Sequence, residues 1–316
     1  MQNRTPKKQN LLKNLFFITV AIAMIAAVFA FIIEPSRTIV REVDVESPYW
    51  NGAPIKIALI SDVHVDNLQV PISRIEKTGK LIQGLSPDII FIGGDYAGGY
   101  LSKTRMPKAA FENRSHDENK LEIAAMHALG DYNKYAPLGA VAIMGNHDRW
   151  WSADETRKAF AQTQATFLED KLLHIKNDKY DFWICGVGDR NNWRKDKPKI
   201  CETAPSGVDV LTFVHNPAYF IPYLGQAKIQ FSGHLHGGQI RFPFIGAPRT
   251  SGPYTEETIK GYMVDGDRVL VVSSGLGMVG LPARFNVPPE VMIINLKSGS
   301  KAAASSKTIK NYWFIR

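Results

Sequence analysis

The chain has 316 residues, 45% of them hydrophobic and 22% charged, which excludes a disordered polypeptide and allows one large domain or two ordinary ones. Its two cysteines, Cys185 and Cys201, exclude a disulfide framework and a cysteine-rich zinc site. The net charge of +8 lies at the ends: residues 1–33 and 297–316 carry bases and no acid, while 34–296 hold 29 bases against 30 acids, which argues against a nucleic-acid binder.

In chain order, a basic segment (1–14) comes first, with Arg4, Lys7, Lys8 and Lys13. The run LFFITVAIAMIAAVFAFII (15–33) then has nineteen residues without charge or proline. As a helix it spans about 28 Å, close to the ~30 Å hydrocarbon core of a bilayer, and reads as a single-pass transmembrane anchor. The alternative is a cleaved signal peptide with a weak site at Val28-Phe29-Ala30, although such apolar regions usually run ~7–15 residues. Bases lead the segment, whereas Arg37 and Arg41 follow among Glu34, Glu42 and Asp44. The positive-inside rule therefore favours a body on the outer side, periplasmic or extracellular, of the cytoplasmic membrane.

Residues 34–54, broken by Pro35, Pro48 and Pro54, read as a connector. The body begins with a strand, IKIALIS (55–61), a helix (72–83), a second strand (88–94), a helix (118–130) and a third strand (139–145). Strands follow at 171–176, 180–187, 209–214, 228–232, 268–273 and 291–296. Strands alternating with helices predict an α/β fold, with functional groups at the carboxyl ends of the strands. Cys185 reads as a buried strand residue, with a Cys185–Cys201 disulfide as the alternative in an oxidising compartment. Residues 96–117 (with Lys103, Arg105, Lys108 and Arg114) and 189–205 (with Trp193) read as loops near the site mouth. The basic aromatic tail (298–316) ends KTIKNYWFIR, which suits a bilayer interface or a frayed terminus.

The stretch FSGHLHGGQI (231–240) sets two histidines two apart among glycines, as a metal-binding loop would. Other strand ends supply more candidate ligands: Asp62 and His64 (LISDVH), Asp95 (FIGGD), Asn146, His147 and Asp148 (AIMGNHD) and His215 (TFVHNP). A lone histidine after a strand is more often structural, but five such segments in one chain are a pattern. Carboxylate, amide and imidazole without thiolate suit Mn, Fe, Zn or Mg. Seven ligands are too many for one tetrahedral ion and about right for two ions sharing a carboxylate, an arrangement that suits phosphate-ester hydrolysis.

The order D-x-H, G-D, G-N-H-D, H, G-H-x-H between residues 62 and 236 resembles the calcineurin-like metallophosphoesterases. The stretch 273–296 and the apolar amino-terminal run resemble the membrane-anchored bacterial branch of YaeI- and YkuE-like phosphodiesterases. The resemblance implies a four-layer α/β/β/α sandwich over residues 55–297. It further implies two divalent ions, one held by Asp62, His64 and His236, the other by Asn146, His215 and His234, with Asp95 bridging. His147, just outside the metal shell, would then stabilise the transition state or protonate the leaving oxygen. Many relatives carry an aspartate where this chain has Gly98, so Asp148 or a backbone carbonyl would have to orient His147. Arg149 and Arg284 are candidate substrate contacts, with Arg241 and Arg249 as weaker ones. Trp150-Trp151 would floor a pocket or pack beneath it.

The function implied is hydrolysis of a phosphodiester or pyrophosphate, of a lipid-linked or envelope substrate, at a membrane surface and without nucleic acid. Alternatives are a UDP-2,3-diacylglucosamine pyrophosphatase of lipid A biosynthesis, a non-catalytic scaffold on the same fold, and a nuclease. A substrate made on the cytoplasmic side conflicts with an outward-facing body, and a neutral body disfavours the nuclease.

Overall fold

In a computed structural model, residues 6–98, 119–189, 199–220, 227–248, 254–256 and 258–314 are described. Ile57 and Leu59 face one core while Ala58 and Ile60, on the same strand, face another. The same split recurs at Ile89 and Phe91 against Ile90 and Ile92, and at Val141 and Ile143 against Ala140 and Ala142. Side chains alternate across a strand, so an unbroken apolar run marks a strand buried on both faces. That is why these segments read so clearly in the sequence.

Strands are numbered in chain order. The first sheet runs β13 (Ala303–Trp313), β1 (Arg37–Ser47), β12 (Glu290–Ser298), β2 (Ile55–Ile60), β3 (Ile89–Ile92), β4 (Ala140–Ile143), β5 (Thr166–Leu168). The second runs β10 (Gly261–Asp265), β11 (Arg268–Val272), β9 (Ile229–Ser232), β8 (Val210–Val214), β7 (Asp181–Val187), β6 (Lys171–Lys176). Each has a parallel centre, β2–β3–β4–β5 in one and β7–β8–β9–β11 in the other. The sheets face each other across an aromatic core in which Phe91 stacks on Phe213 at 4.6 Å and meets Phe231 edge-on at 5.3 Å.

Helices α2 (Ile72–Leu85), α3 (Lys120–Gly130) and α4 (Asn146–Ala161) cover the outer face of the first sheet through Ile75, Ile82, Met126, Leu129 and Phe160. On the outer face of the second sheet, the described covering elements are short 3-10 turns such as Pro217–Tyr219, whose Tyr219 packs on Cys185 and Val214. Cys185, buried on β7, is disulfide-bonded to Cys201. The alternative weighed from the sequence is thus the one the fold adopts.

The structure corrects two expectations. Within the expected connector 34–54 lies β1, paired in parallel with β12 and burying Val40, Val43 and Val45. Pro35 sits in the helical turn before β1 and Pro48 directly after it, so the prolines bound the strand and do not break it. The tail is also a strand: β13 pairs antiparallel with β1. Tyr312 packs against the helix-side core, and the Arg74 guanidinium lies 5.1 Å over the Phe314 ring, so of the three aromatics only Trp313 is exposed.

Helix α1 (Pro6–Val28) continues through a π turn (Phe29–Ile33) into the turn Glu34–Ser36. It is the one helix among the described residues long and apolar enough to cross a membrane, and Phe16, Phe17 and Ile25 stand out from it uncovered.

Candidate metal centre

β2, β3, β4, β8 and β9 all end on the same side of the sandwich, and the chain turns sharply after each. Five of the residues there take left-handed backbone angles: Asp62 (φ 52°), His64 (44°), Asp95 (56°), His234 (74°) and His236 (51°). Aspartate and histidine tolerate this region better than most, at a cost on the order of 1–3 kcal/mol each. Two glycines permit the resulting close approach. A Cβ on Gly145 would lie 2.2 Å from Asp95 Oδ1, and one on Gly233 2.3 Å from Asp62 Oδ2.

Asp95 is central. Its Oδ1 accepts the His147 amide at the start of α4 (2.8 Å), and its Oδ2 lies 3.1 Å from His215 Nε2 and 3.6 Å from His64 Nε2. On one side His64 Nε2 and His236 Nε2 face each other at 3.1 Å, with Asp62 Oδ1 3.5 Å from His236 Nε2. On the other, the His215 and His234 rings meet at 5.0 Å. Three overlapping groups could each hold an ion: Asp62, His64 and His236; Asp95, His215 and His234; and His64, Asp95 and His147.

The donors are set for cations. His64 Nδ1 faces the carbonyls of Ala97 (3.0 Å) and Gly98 (3.2 Å), and His215 Nδ1 that of Gly93 (2.6 Å). A carbonyl only accepts, so Nδ1 carries the proton in both rings, and His64 Nε2 then turns a lone pair toward the cluster. His215, which against its burial Asp95 raises well above its ordinary value, faces that carboxylate with a protonated Nε2. Asn146 Oδ1 and His234 Nδ1 are buried with no hydrogen-bond partner. Two imidazole nitrogens face to face, together with an orphaned amide oxygen, are what a bound divalent ion would satisfy, and oxygen and imidazole donors suit one.

Electrostatics agree. Burial, with His147 beside it, lowers His64 to about 3, and burial with His215 lowers His234 to about 3. Burial and His64 also hold His236 well below its ordinary value. All three are therefore neutral at pH 7, the form that ligates without a proton to displace. Burial raises Asp62 to about 6, with Asp95 adding to it. Asp95 itself lies well below the carboxylate range because, against its burial, His215 and His147 favour its charge.

The remaining expected residues separate. His147 sits against His64 (ring centroids 4.7 Å) and under the half-exposed Trp150 (4.8 Å), while Trp151 is buried in the helix-side core. Asp148 does not reach toward His147. Its two oxygens accept four backbone amides, from Asp95, Tyr96, Ala97 and Gly145, at 2.7–3.0 Å. It fixes the backbone that presents Asp95, a role with no local signal in the residue pattern.

Arg284 is corrected too: it is fully buried and donates to the carbonyls of Ser274, Gly275, Gly277 and Val287. Arg149 is engaged with Glu169 (2.7 Å) and the Asp189 carbonyl (2.7 Å), and Arg241 pairs with Glu256. Neither Arg149 nor Arg284 presents a free guanidinium to substrate. Residues 99–117 and 190–198 of the two predicted mouth loops, including Lys103, Arg105, Lys108, Arg114 and Trp193, and Arg249 lie outside the described residues. Gln239, not singled out from the sequence although it lies within FSGHLHGGQI, ties the His236 loop to the next one. Its side chain accepts from the Val279 amide (2.9 Å) and donates to the Leu281 carbonyl (2.9 Å).

Comparisons with known proteins agree with this geometry. The calcineurin-like phosphoesterase profile matches residues 55–238, which carry every strand end just described. Phosphodiesterase YaeI of Escherichia coli K12 is 27% identical over 252 residues, covering 78% of this chain and 83% of that protein. The uncharacterized metallophosphoesterase YkuE of Bacillus subtilis 168 is 44% identical over 166 residues, covering 52% of this chain and 58% of its own length. The uncharacterized metallophosphoesterase Cj0846 of Campylobacter jejuni is 26% identical over 309 residues, 94% of this chain and 74% of that one. The chain belongs to the calcineurin-like phosphoesterases, a family that uses divalent metals, and it is a metal-dependent phosphoester hydrolase.

Proposed function

We propose that the protein is a membrane-anchored two-metal phosphodiesterase, acting on a phosphodiester or pyrophosphate of a lipid-linked or envelope substrate on the outer side of the cytoplasmic membrane. The position of Asp95 carries the two-metal reading, because one of its carboxylate oxygens stands between His215 and His64, each belonging to a different ligand group. Asp62, His64 and His236 would hold one ion and Asn146, His215 and His234 the other, with Asp95 shared. Ions held there would supply positive charge to the phosphoryl oxygens and Lewis acidity for activating a water.

The chain's own groups do the rest. His64 and His215, locked by carbonyls at Nδ1, keep their Nε2 atoms aimed inward. Asp148 holds the Asp95 backbone, and its anionic form is the one that accepts four amides. His147, at the site's edge against His64 and Asp95, is placed to give a proton to the leaving oxygen.

An outward-facing body draws support from the Cys185–Cys201 disulfide, since such bonds persist in oxidising compartments. It also draws support from the bases ahead of α1. Both weigh against a precursor made on the cytoplasmic side, and so against the lipid A pyrophosphatase alternative. In the decisive experiment, detergent-solubilised full-length protein with Mn²⁺ hydrolyses bis(p-nitrophenyl) phosphate, and Asp95→Ala or His234→Ala abolishes it. A wild type that carries two equivalents of metal yet hydrolyses nothing would favour the scaffold reading.

A further inference from the structure

The loops that carry the candidate ligands run on to the end of the apolar helix. Two residues beyond His64, Asp66 opens a turn that leads to Gln69, whose side chain donates to the Phe31 carbonyl at 3.4 Å. Beyond His236, Gln239 and Arg241 bond the backbone of Phe285, and the neighbouring Arg284 amide donates to the Ala30 carbonyl (2.9 Å). The Phe285 ring then packs edge-on against Phe29 at 5.6 Å and lies beside Phe242 at 5.9 Å.

Phe29 lies four residues before Ile33, the end of the uncharged run, hence about 6 Å inside it at 1.5 Å per residue. Whatever packs on Phe29 shares its depth. Around this contact the domain exposes large apolar side chains: Phe244 (110% relative exposure), Ile245 (74%), Phe242 (46%), Leu281 (45%) and Leu68 (42%). They come from three different loops, all joined to the helix end or to one another. Soluble surfaces seldom gather such a group, and Phe and Leu side chains on a surface of this kind bury at the headgroup–acyl boundary.

We infer that the tip Phe242–Ile245, with Leu68 and Leu281 beside it, inserts into the outer leaflet and seats the domain flush on the bilayer, so that the His64 and His236 loops lie at headgroup level. The inference rests on the membrane-anchor reading above and extends it: the body is not tethered at a distance but docked. A substrate would then reach the metal centre from the lipid surface without leaving it. The occupant of this apolar face is the bilayer itself, because among the described residues the face is continuous with the end of the one helix long and apolar enough to cross a membrane.

Depth measurement on the full chain tests this. Both native cysteines are bonded to each other, so an introduced cysteine is the only free thiol. Phe244→Cys, with Ile245→Cys as a second site, is labelled with an environment-sensitive fluorophore in vesicles of phosphatidylcholine and phosphatidylglycerol. Ile22→Cys in the helix and Asp178→Cys serve as references. Asp178 lies in the turn before Tyr180, whose hydroxyl donates to the Pro54 carbonyl at the far end of the sheets.

The expected result is blue-shifted emission at 244 and 245, quenched at least twofold by lipid-borne quenchers near the ester region. The label at 22 is quenched by deeper ones and the label at 178 only by aqueous iodide. If 22 is in the bilayer while 244 and 245 behave like 178, the docking inference is wrong and the anchor stands. If 22 is also in water, both fall. Hydrolysis of bis(p-nitrophenyl) phosphate by the same samples reports on the catalytic reading separately.

Discussion

His147 and Asp148 are sequence neighbours with opposite duties, and two substitutions should separate them. His147→Ala removes a side chain at the edge of the cluster. It should lower kcat by ~10²–10⁴ and leave bound metal unchanged, as general-acid loss does. Asp148→Asn keeps the shape but replaces one acceptor oxygen with a donor amide that faces backbone N–H groups. It should cost on the order of 3 kcal/mol in denaturant unfolding and lower metal content as the Asp95 backbone loosens. Equal metal loss in the two variants would refute this division. At this scale the sequence was informative about the donors, because donor chemistry is written in residue type. It was silent about what holds them: the four amides on Asp148, the carbonyls behind Arg284 and the Gln239 bridge join segments far apart in the chain. Arg149 and Arg284 misled for that reason, since an arginine beside a phosphate site and one stapling carbonyls look alike until the acceptors are seen.

The elements best read from sequence were those buried on both faces, such as β2, β3 and β4, where composition alone marks the strand. Those missed have one face in water. β13 is mostly exposed, β1 alternates only in its second half, and α4 has a break in helical geometry at Ser152 that blurs its periodicity. Edge strands also depend on a partner that no local window contains. A chain ending after Ser298 should therefore keep its metal centre but leave the β1 edge uncovered. Its melting temperature should fall by several degrees, and it should aggregate on warming, as light scattering would record. Phe91→Ala, between Phe213 and Phe231, should cost about 3–5 kcal/mol by opening a cavity between the sheets, measured by urea unfolding.

For the molecule as a whole, ligand binding and stability are one quantity. A cluster of buried carboxylates and imidazoles that could hold a metal ion only when folded would be stabilised by that ion. Each ion at a hundred times its dissociation constant adds about 2.7 kcal/mol. Chelation should therefore lower the melting temperature, and Mn²⁺ should restore it, whether or not any substrate is turned over. A reporter enzyme fused after Arg316 and active only outside the cytoplasm should be active if the body faces outward.

The pairing of β1 with β13 also sets the order of events during synthesis. Arg37, at the start of β1, is joined by its side chain to Asn311, 274 positions later, and the Phe314 amide closes on the Ser36 carbonyl. The strand that follows the helix has no strand neighbours until β12 and β13 have been translated. Non-local pairing of this kind slows assembly. The first strand of the body is therefore held open for partners made long after it.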